Sequence, residues 1–342
     1  MNLAIRADAS TAIGSGHIMR CLALAKAWQS SGGEACYLMA ESIPALNARL
    51  AREKVRHETL AAVPGTTEDA EQTTEWARRL GAAWVVVDGY RFGPDYIRKL
   101  KASGIRVLAL DDDARFDFYP ADIVLNPNIA ATSEQYRKRE AYTRLLLGAQ
   151  YLLLRPEFLV KRGNREIAAD GRKLLVTMGG SDSENVTAKV VRALSNLRSD
   201  FQATIVVGGG NPHDELLRDL AAKLPGEIRL EQDPSNMATL MRWADIGISA
   251  AGGTCWEQAF LGTPMILIVL SREQTTNASA LAEHGAALNL GWHANLSEHQ
   301  ISDALNSVMN DAEGRRAMSE RGQNLVDGRG AAQVVQFLQN AL

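Results

Sequence analysis

Cysteine is scarce in this 342-residue sequence, which has only Cys21, Cys36 and Cys255 and no Cys-x-x-Cys pair. Because the three cysteines are odd in number and far apart in the sequence, they argue against a disulfide framework and against a structural zinc site of the usual spacing. Long apolar runs are also missing, because no stretch reaches the roughly 18 residues of a membrane-spanning helix. The N-terminus also lacks the apolar core of a signal peptide. We therefore expect a cytoplasmic protein with no membrane partner.

An excess of positive charge is absent as well, since the net charge is -3 and the isoelectric point is near 6.1. Nucleic acid is therefore not an expected partner, and any bound phosphate must be recognised by local groups. Hydrophobic residues make up 46% and charged residues 23% of the chain, as in packed globular proteins. At this length two domains are expected. The oligomeric state stays open, with a monomer as the simplest expectation.

Short runs rich in Val, Ile and Leu alternate with longer amphipathic segments, a pattern typical of βαβ units in mostly parallel sheets. It predicts strands at 3–6, 35–39, 84–87, 107–110 and 123–125, and again at 173–177, 203–207, 228–230, 246–249 and 265–269. The segment 155–172 has little periodic pattern and separates the two halves. The predicted fold is therefore α/β with GT-B architecture, in which two Rossmann-like domains, 1–160 and 161–342, have parallel sheets that face an interdomain cleft. The last helix is expected to be able to return to the first domain.

A Gly-rich turn follows the first predicted strand and contains Gly14, Gly16 and His17, directly before an apolar-periodic run. Ligands bind at the carboxyl ends of parallel strands, where glycines let backbone N–H groups approach an anion. The helix dipole favours a neutral imidazole in the first turn, and a neutral His17 can take a proton from water. The alternative is that His17 only caps the helix or packs beside Arg20.

Two further Gly-rich turns follow predicted strands in the second half, at 178–182 and 250–257. Their glycines would cradle a pyrophosphate, and Glu257 would accept hydrogen bonds from a ribose diol, whereas the alternative for each is a plain strand-to-helix turn. Gln274 and Asn277 fall one helical turn apart, where amides can read sugar groups. The three aspartates 111–113 are interpreted as solvated or capping, so we expect no metal and no cofactor.

Several motifs, spread over nearly the whole chain, carry a resemblance to a known family. They are Arg6-x-Asp8-x-Ser10-x-x-Ile13-Gly14-x-Gly16-His17-x-x-Arg20-Cys21, Asp88-Gly89-Tyr90, Leu154-Arg155-Pro156-Glu157-Phe158, Gly179-Gly180-Ser181-Asp182 and Ala251-Gly252-Gly253-Thr254-x-Trp256-Glu257. Together they resemble the UDP-2,4-diacetamido-2,4,6-trideoxy-β-L-altropyranose hydrolases, the UDP-sugar hydrolases of pseudaminic acid biosynthesis. The resemblance implies that water replaces UDP at the anomeric carbon without a metal, and that His17 is the general base.

The second half also resembles the MurG type of GT-B glycosyltransferase in its Gly-Gly-Ser loop and its Gln-x-x-Asn-Ala segment. This resemblance implies that the second domain holds most of the UDP, with the uracil near Met237. The predicted UDP contacts are Gly14, Arg155, Gly180, Ser181, Met237, Gly252, Gly253, Thr254 and Glu257. The predicted sugar contacts are Asp8, Gly16, Tyr90, Gln274 and Asn277.

Three other functions use the same predicted UDP site. A MurG-like glycosyltransferase would transfer the sugar to an acceptor hydroxyl, a non-catalytic protein would only bind the UDP-sugar, and a pyrophosphatase would attack phosphorus and release UMP. Residues 1–150 show no apolar or basic patch suited to a lipid-linked acceptor, which favours hydrolysis over transfer.

Overall fold

The computed structural model describes residues 1–10, 13–180 and 182–341, and for Ala45 it describes the backbone only. These residues form two compact units. Unit 1 consists of Met1–Pro156 and Gly328–Leu342, and unit 2 consists of Glu157–Asp327. The chain thus leaves unit 1 for unit 2 and returns to unit 1 at its end.

Unit 1 is built on a parallel sheet that, in the described residues, has seven strands in the order β3-β2-β1-β4-β5-β6-β7. The order reverses between β1 and β4, which is the position where doubly wound sheets bind ligands. The strands are β1 Asn2–Ala7, β2 Glu34–Met39, β3 Arg56–Thr59, β4 Ala82–Asp88, β5 Val107–Leu110, β6 Ile123–Asn126 and β7 Arg144–Leu147.

Unit 2 repeats this plan with six parallel strands among the described residues, in the order β10-β9-β8-β11-β12-β13. Here the order reverses between β8 and β11, so the second candidate ligand position lies at that point. The strands are β8 Lys173–Thr177, β9 Gln202–Val207, β10 Glu227–Gln232, β11 Ile246–Ala250, β12 Met265–Val269 and β13 Leu288–Trp292.

Helices connect the strands, and several begin at residues suited to a helix start. Pro44 and Pro94 occupy first turns, where a missing N–H costs nothing, and the Ser297 and Gln300 side chains form a capping box. Among the described residues no helix is long and apolar enough to cross a membrane. The helices are α1 Gly16–Ser30, α2 Pro44–Arg52, α3 Thr67–Arg79, α4 Pro94–Ala102, α5 Pro156–Leu159, α6 Val186–Leu194, α7 Asp214–Ala221, α8 Met237–Trp243, α9 Gly253–Leu261, α10 Gln274–Glu283, α11 Glu298–Asn310, α12 Ala312–Leu325 and α13 Gly330–Asn340.

The sheet of unit 1 separates two hydrophobic clusters because successive side chains of a strand point to opposite faces. Leu3 and Ile5 of β1 pack with the helices α1, α2 and α13, whereas Ala4 packs in the cluster that contains α3 and α4. Helix α13 therefore completes the core of unit 1, and Trp84 Nε1 donates a hydrogen bond to Leu338 O at 3.1 Å.

The two parallel Rossmann-like sheets confirm the predicted fold class, and all ten predicted strands are present. The sequence analysis misses β3, β7 and β13, and each of these lies at an edge of its sheet. An edge strand pairs with a neighbour on one side only, so β3 can form without the continuous apolar run of a central parallel strand. The sequence of β3, Arg-His-Glu-Thr, has no apolar residue at all.

Candidate functional site

The candidate catalytic residue lies where the strand order of unit 1 reverses. β1 ends at Ala7 and β4 ends at Asp88, and the parallel register pairs these two residues. The chain passes through Gly14, whose φ of 73° favours glycine, and enters α1 at Gly16. Loops that follow neighbouring parallel strands leave the sheet at the same edge, so His17 in the first turn of α1 meets Asp88.

The His17 side chain is nearly buried, and its Nδ1 lies 2.8 Å from Asp88 Oδ1. Burial alone would raise the pKa of Asp88, but Arg20 and His17 hold this pKa well below its usual range. The ionised carboxylate can only accept hydrogen bonds, so Nδ1 carries the proton and Nε2 of the neutral ring is an acceptor. Within the described residues Nε2 has no hydrogen-bond partner, so it can bind a water or a hydroxyl group.

Arg20, one helical turn after His17, holds the other side of the carboxylate. Its Nε donates to Asp88 Oδ2 at 2.6 Å and its Nη2 to Asp88 Oδ1 at 2.5 Å, while Nη1 donates to Asp112 Oδ1 at 2.6 Å. Although burial acts to lower the pKa of Arg20, Asp112 and Asp88 keep this pKa above its ordinary value. The guanidinium therefore stays charged.

Tyr90 covers the imidazole from a further side. Its ring packs edge-on against His17 with 4.9 Å between ring centroids, and its side chain is 43% exposed. Arg115 Cζ lies 3.9 Å from the centre of the Tyr90 ring, and Arg115 donates two hydrogen bonds to Asp113. A small cavity is lined by His17, Arg20, Asp88, Tyr90, Asp112 and Arg115, among other residues. The structure thus brings His17 and Tyr90 together, as a shared sugar site requires.

Asp8 occupies a more enclosed position than the predicted sugar contact suggests. It is 5% exposed, its Oδ1 accepts the N–H groups of Ala40 and Glu41, and it pairs with Arg6 at 2.7 Å. These contacts tie the end of β1 to the loop after β2. The sugar contacts of Asp8 and of Gly16, the first residue of α1, stay predictions.

In unit 2 the turn after β11 presents an uncapped helix start. Gly252 is the N-cap of α9, and within the described residues no side chain caps this helix and no acidic residue lies in its first turn. The first-turn N–H groups, including those of Gly253 and Thr254, therefore lack a capping partner, as they do at anion-binding helix termini. Glu257 lies half-buried one turn further along α9.

The turn after β8 differs, because its helix start is already occupied. Asp182 is 5% exposed and accepts the N–H of Val186 at 2.8 Å and the N–H of Thr187 at 2.9 Å. Burial raises the pKa of Asp182 despite these hydrogen bonds. Asp182 therefore occupies the first N–H groups of α6, and the phosphate contact of the glycine loop before this helix stays a prediction.

The other predicted UDP contacts occupy separate elements. Gly180 belongs to the glycine loop, where a Cβ at Gly208 would lie 2.3 Å from Gly180 O, so the two backbones pack closely. Ser181 lies outside the described residues. Met237 is the first residue of α8, and Arg155 is half-buried near the end of the first segment of unit 1. Their contacts with UDP stay predictions.

Asn277 and Gln274 of α10 both lie close to the turn after β11. Asn277 Nδ2 donates to Ala251 O at 3.5 Å, and its buried Oδ1 has no hydrogen-bond partner among the described residues. A buried acceptor without a donor costs about 1–3 kcal/mol, so a ligand hydroxyl or N–H would be stabilising there. Gln274 Oε1 instead accepts the N–H of Leu270 at 3.0 Å.

The three aspartates after β5 are engaged with protein groups. Asp111 accepts the N–H groups of Asp112 and Asp113, while the carboxylates of Asp112 and Asp113 pair with Arg20 and Arg115. In the described part of the chain, no group of three or more His, Cys, Asp or Glu residues is placed to hold a metal ion. The loop therefore serves as a wall of the His17 cavity.

From the sequence, His17 is predicted as the base and Arg20 is named only as a packing neighbour in the alternative, whereas Asp88 is given no role. Two signals were present: an aspartate at the carboxyl end of a buried strand, and a basic residue three positions after the histidine. The missing information is the strand order, because only the pairing of β1 with β4 places Asp88 beside His17.

The comparison with protein families and solved structures defines the class. Residues 174–333 match the model of the glycosyltransferase family 28 C-terminal domain. The crystal structure of Acinetobacter baumannii MurG aligns with a TM-score of 0.68 and 18% identity, over 99% of this chain and 100% of that one. The chain therefore has a MurG-like GT-B fold, and its second half is similar to the family 28 C-terminal domain.

Two relatives resemble the chain at the sequence level. The spore coat polysaccharide biosynthesis protein SpsG of Bacillus subtilis is 32% identical over 200 residues, which are 58% of this chain and 59% of SpsG. The UDP-2,4-diacetamido-2,4,6-trideoxy-β-L-altropyranose hydrolase of Campylobacter jejuni is 27% identical over 292 residues, which are 83% of this chain and 97% of that enzyme. The chain thus spans less than two thirds of SpsG and nearly all of the Campylobacter enzyme.

Proposed function

We propose that this protein hydrolyses UDP-2,4-diacetamido-2,4,6-trideoxy-β-L-altropyranose to UDP and the free sugar, as a step of pseudaminic acid biosynthesis. The observation that carries the proposal is the His17–Asp88 pair, which holds the Nδ1 proton and leaves Nε2 as a base at a cavity wall. Similarity along nearly the full length of the Campylobacter hydrolase supports the choice of substrate.

In the proposed reaction, His17 Nε2 accepts a proton from water while the water oxygen forms a bond to the anomeric carbon. The bond between this carbon and the UDP oxygen breaks, and its electron pair leaves with UDP. Asp88 stabilises the imidazolium that forms, and the proton then passes to solvent. A positioned general base contributes about 10²- to 10⁴-fold, or roughly 3–5 kcal/mol, to such a step.

The proposal assigns the UDP portion to unit 2. The amides of Gly253 and Thr254 at the start of α9 stabilise the negative charge that develops on the departing pyrophosphate, so no metal is required. Glu257 accepts hydrogen bonds from the ribose, and Asn277 Oδ1 accepts one from a sugar hydroxyl or acetamido N–H. Tyr90 contacts the sugar beside the base.

A second candidate is a MurG-like glycosyltransferase, which the family 28 match favours. It would use the same UDP contacts and the same base, with an acceptor hydroxyl in place of water. A protein that only binds the UDP-sugar is disfavoured, because binding alone gives no reason for a buried, oriented His17–Asp88 pair.

The test uses the purified full chain, the His17→Ala variant and the control His299→Ala, whose histidine lies exposed on α11. Each is incubated with the UDP-sugar in ¹⁸O-labelled water and a chelator, without an acceptor. NMR and mass spectrometry identify the products and the position of the label. We expect UDP and labelled sugar from the wild type and from the control, and a loss of about 10²-fold or more in His17→Ala with nearly unchanged UDP affinity.

Each other outcome has a definite meaning. Release of UMP with label on phosphate would show attack at phosphorus, and turnover only after addition of an acceptor would establish the transferase. Binding of the UDP-sugar without any release of UDP would establish a binding protein.

A further inference from the structure

One charged group at the candidate site has no role in the reaction as proposed so far. The Arg20 guanidinium makes two hydrogen bonds to Asp88 and one to Asp112, and its Nη2 lies 3.3 Å from His17 Nδ1. A purely structural ion pair would need only one carboxylate and no approach to the imidazole. Arg20 instead touches both members of the His17–Asp88 pair, on the side opposite to the proposed reaction.

We propose that Arg20 is a positioning residue that sets both the orientation and the protonation of His17, and this inference rests on the proposed function. The two parallel hydrogen bonds fix the plane of the Asp88 carboxylate, so that Oδ1 points at Nδ1. Asp112 in turn holds the guanidinium from the loop after β5. The hydrogen-bonded order is His17, Asp88, Arg20, Asp112.

The same arrangement affects the protonation of His17. Asp88 favours the imidazolium, whereas the Arg20 cation close to Nδ1 opposes it. The titratable and charged groups that line the cavity with His17 are Asp88 at the end of β4, Tyr90 after it, Arg20 on α1, and Asp111, Asp112 and Arg115 after β5.

Opposite shifts of the pH profile follow for two variants. Removing the cation in Arg20→Gln stabilises the imidazolium, so the acid limb of the kcat profile moves to higher pH. Removing the anion in Asp88→Asn destabilises the imidazolium, so the acid limb moves to lower pH. Substituting a residue that only stabilised the fold would leave the acid limb of the kcat profile at its wild-type pH.

The experiment compares the full-length wild type with Arg20→Gln, Arg20→Lys and the control Arg98→Gln, whose arginine forms an exposed ion pair with Asp95. We expect Arg20→Gln to lose about 10- to 100-fold in kcat with KM changed less than about threefold, since a small misplacement of a base has this effect. Arg20→Lys should keep the wild-type acid limb while recovering only part of kcat. The control should match the wild type.

A second measurement tests the inference without turnover. ¹⁵N NMR of histidine-labelled protein reports which ring nitrogen of His17 carries the proton and the pH at which the ring titrates. We expect the Nδ1–H form in the wild type and a titration at higher pH in Arg20→Gln. An unchanged titration and an unchanged acid limb in folded Arg20→Gln would overturn the role of Arg20. Lack of hydrolysis by the wild type would overturn the proposed function instead.

Discussion

The substitution Asp88→Asn tests the catalytic arrangement most directly, because it keeps the shape of the side chain and removes one acceptor. Asp88 Oδ1 accepts from His17 and Arg20, and Oδ2 accepts from Arg20 and Cys21. An asparagine has one oxygen and one NH₂ group, so in either orientation it places a donor against a donor. If the NH₂ group faces His17 Nδ1, the ring proton is forced onto Nε2 and the base is lost.

The size of the effect follows from these contacts. In a serine hydrolase triad the equivalent change lowers kcat about 10⁴-fold, so we expect a loss of about 10²- to 10⁴-fold here, or roughly 3–5 kcal/mol. The free energy of unfolding of Asp88→Asn should also be lower than that of the wild type, by about 2–4 kcal/mol at neutral pH. This loss is smaller than the usual cost of breaking a buried ion pair, because Arg20 still pairs with Asp112 and the Arg20 side chain is 21% exposed.

The pH dependence of stability has a definite sign. The pKa of Asp88 is lower in the folded protein than in the unfolded chain, so its stabilising effect is present above about pH 4 and is lost as the pH falls through the lowered value. The stability difference between the wild type and Asp88→Asn should therefore be largest at neutral pH and should shrink below about pH 4.

The assay combines steady-state release of UDP with urea unfolding at several pH values, and uses Asp95→Asn, an exposed aspartate of α4, as the control. The control should match the wild type in both measurements. A folded Asp88→Asn variant with kcat within about threefold of the wild type would refute the reasoning, because the pairing with His17 would then have no catalytic consequence.

Three further outcomes are expected. Gly253→Ala should weaken UDP binding measured by calorimetry. The melting temperature should change little, since a Cβ at this position meets no atom within 4 Å. An unchanged affinity for UDP would exclude the start of α9 as the phosphate site. Asp182→Ala should lower stability in urea by about 1–2 kcal/mol through loss of a helix cap, and Asp182→Asn by less. The three buried cysteines should resist iodoacetamide at pH 8 in the native protein and react after unfolding, because burial raises the pKa of each thiol; rapid native labelling would contradict this burial.

The central strands could be predicted because a parallel strand covered on both faces needs an unbroken apolar sequence, as in Met265–Val269. The edge strand β3 could not, since Arg56–Thr59 forms by pairing with β2 and carries no apolar pattern of its own. Hydrogen-bond pairing across the sheet, and not local preference, decides such segments.

The candidate site divides in a similar way. His17 could be predicted because its signal is local: a Gly-rich turn before a helix. Asp88 lies 71 positions away from it, and only the adjacency of β1 and β4 joins them. The hydrogen bonds of Asp182 could not be predicted for a related reason, because the sequence does not show whether a polar residue after a glycine loop turns back to cap its own helix or leaves that helix start to a ligand.

The return of the chain to unit 1 has a consequence for biosynthesis. Residues 328–342 are synthesised after the whole of unit 2, yet Val334, Val335 and Leu338 are fully or almost fully buried in the core of unit 1. Burial of these three side chains contributes about 1.5–3 kcal/mol each, which together is comparable to the whole stability of a small domain. The chain of unit 2 is therefore fully synthesised before α13, whereas the first segment of unit 1, although synthesised earlier, cannot complete its core until α13 follows.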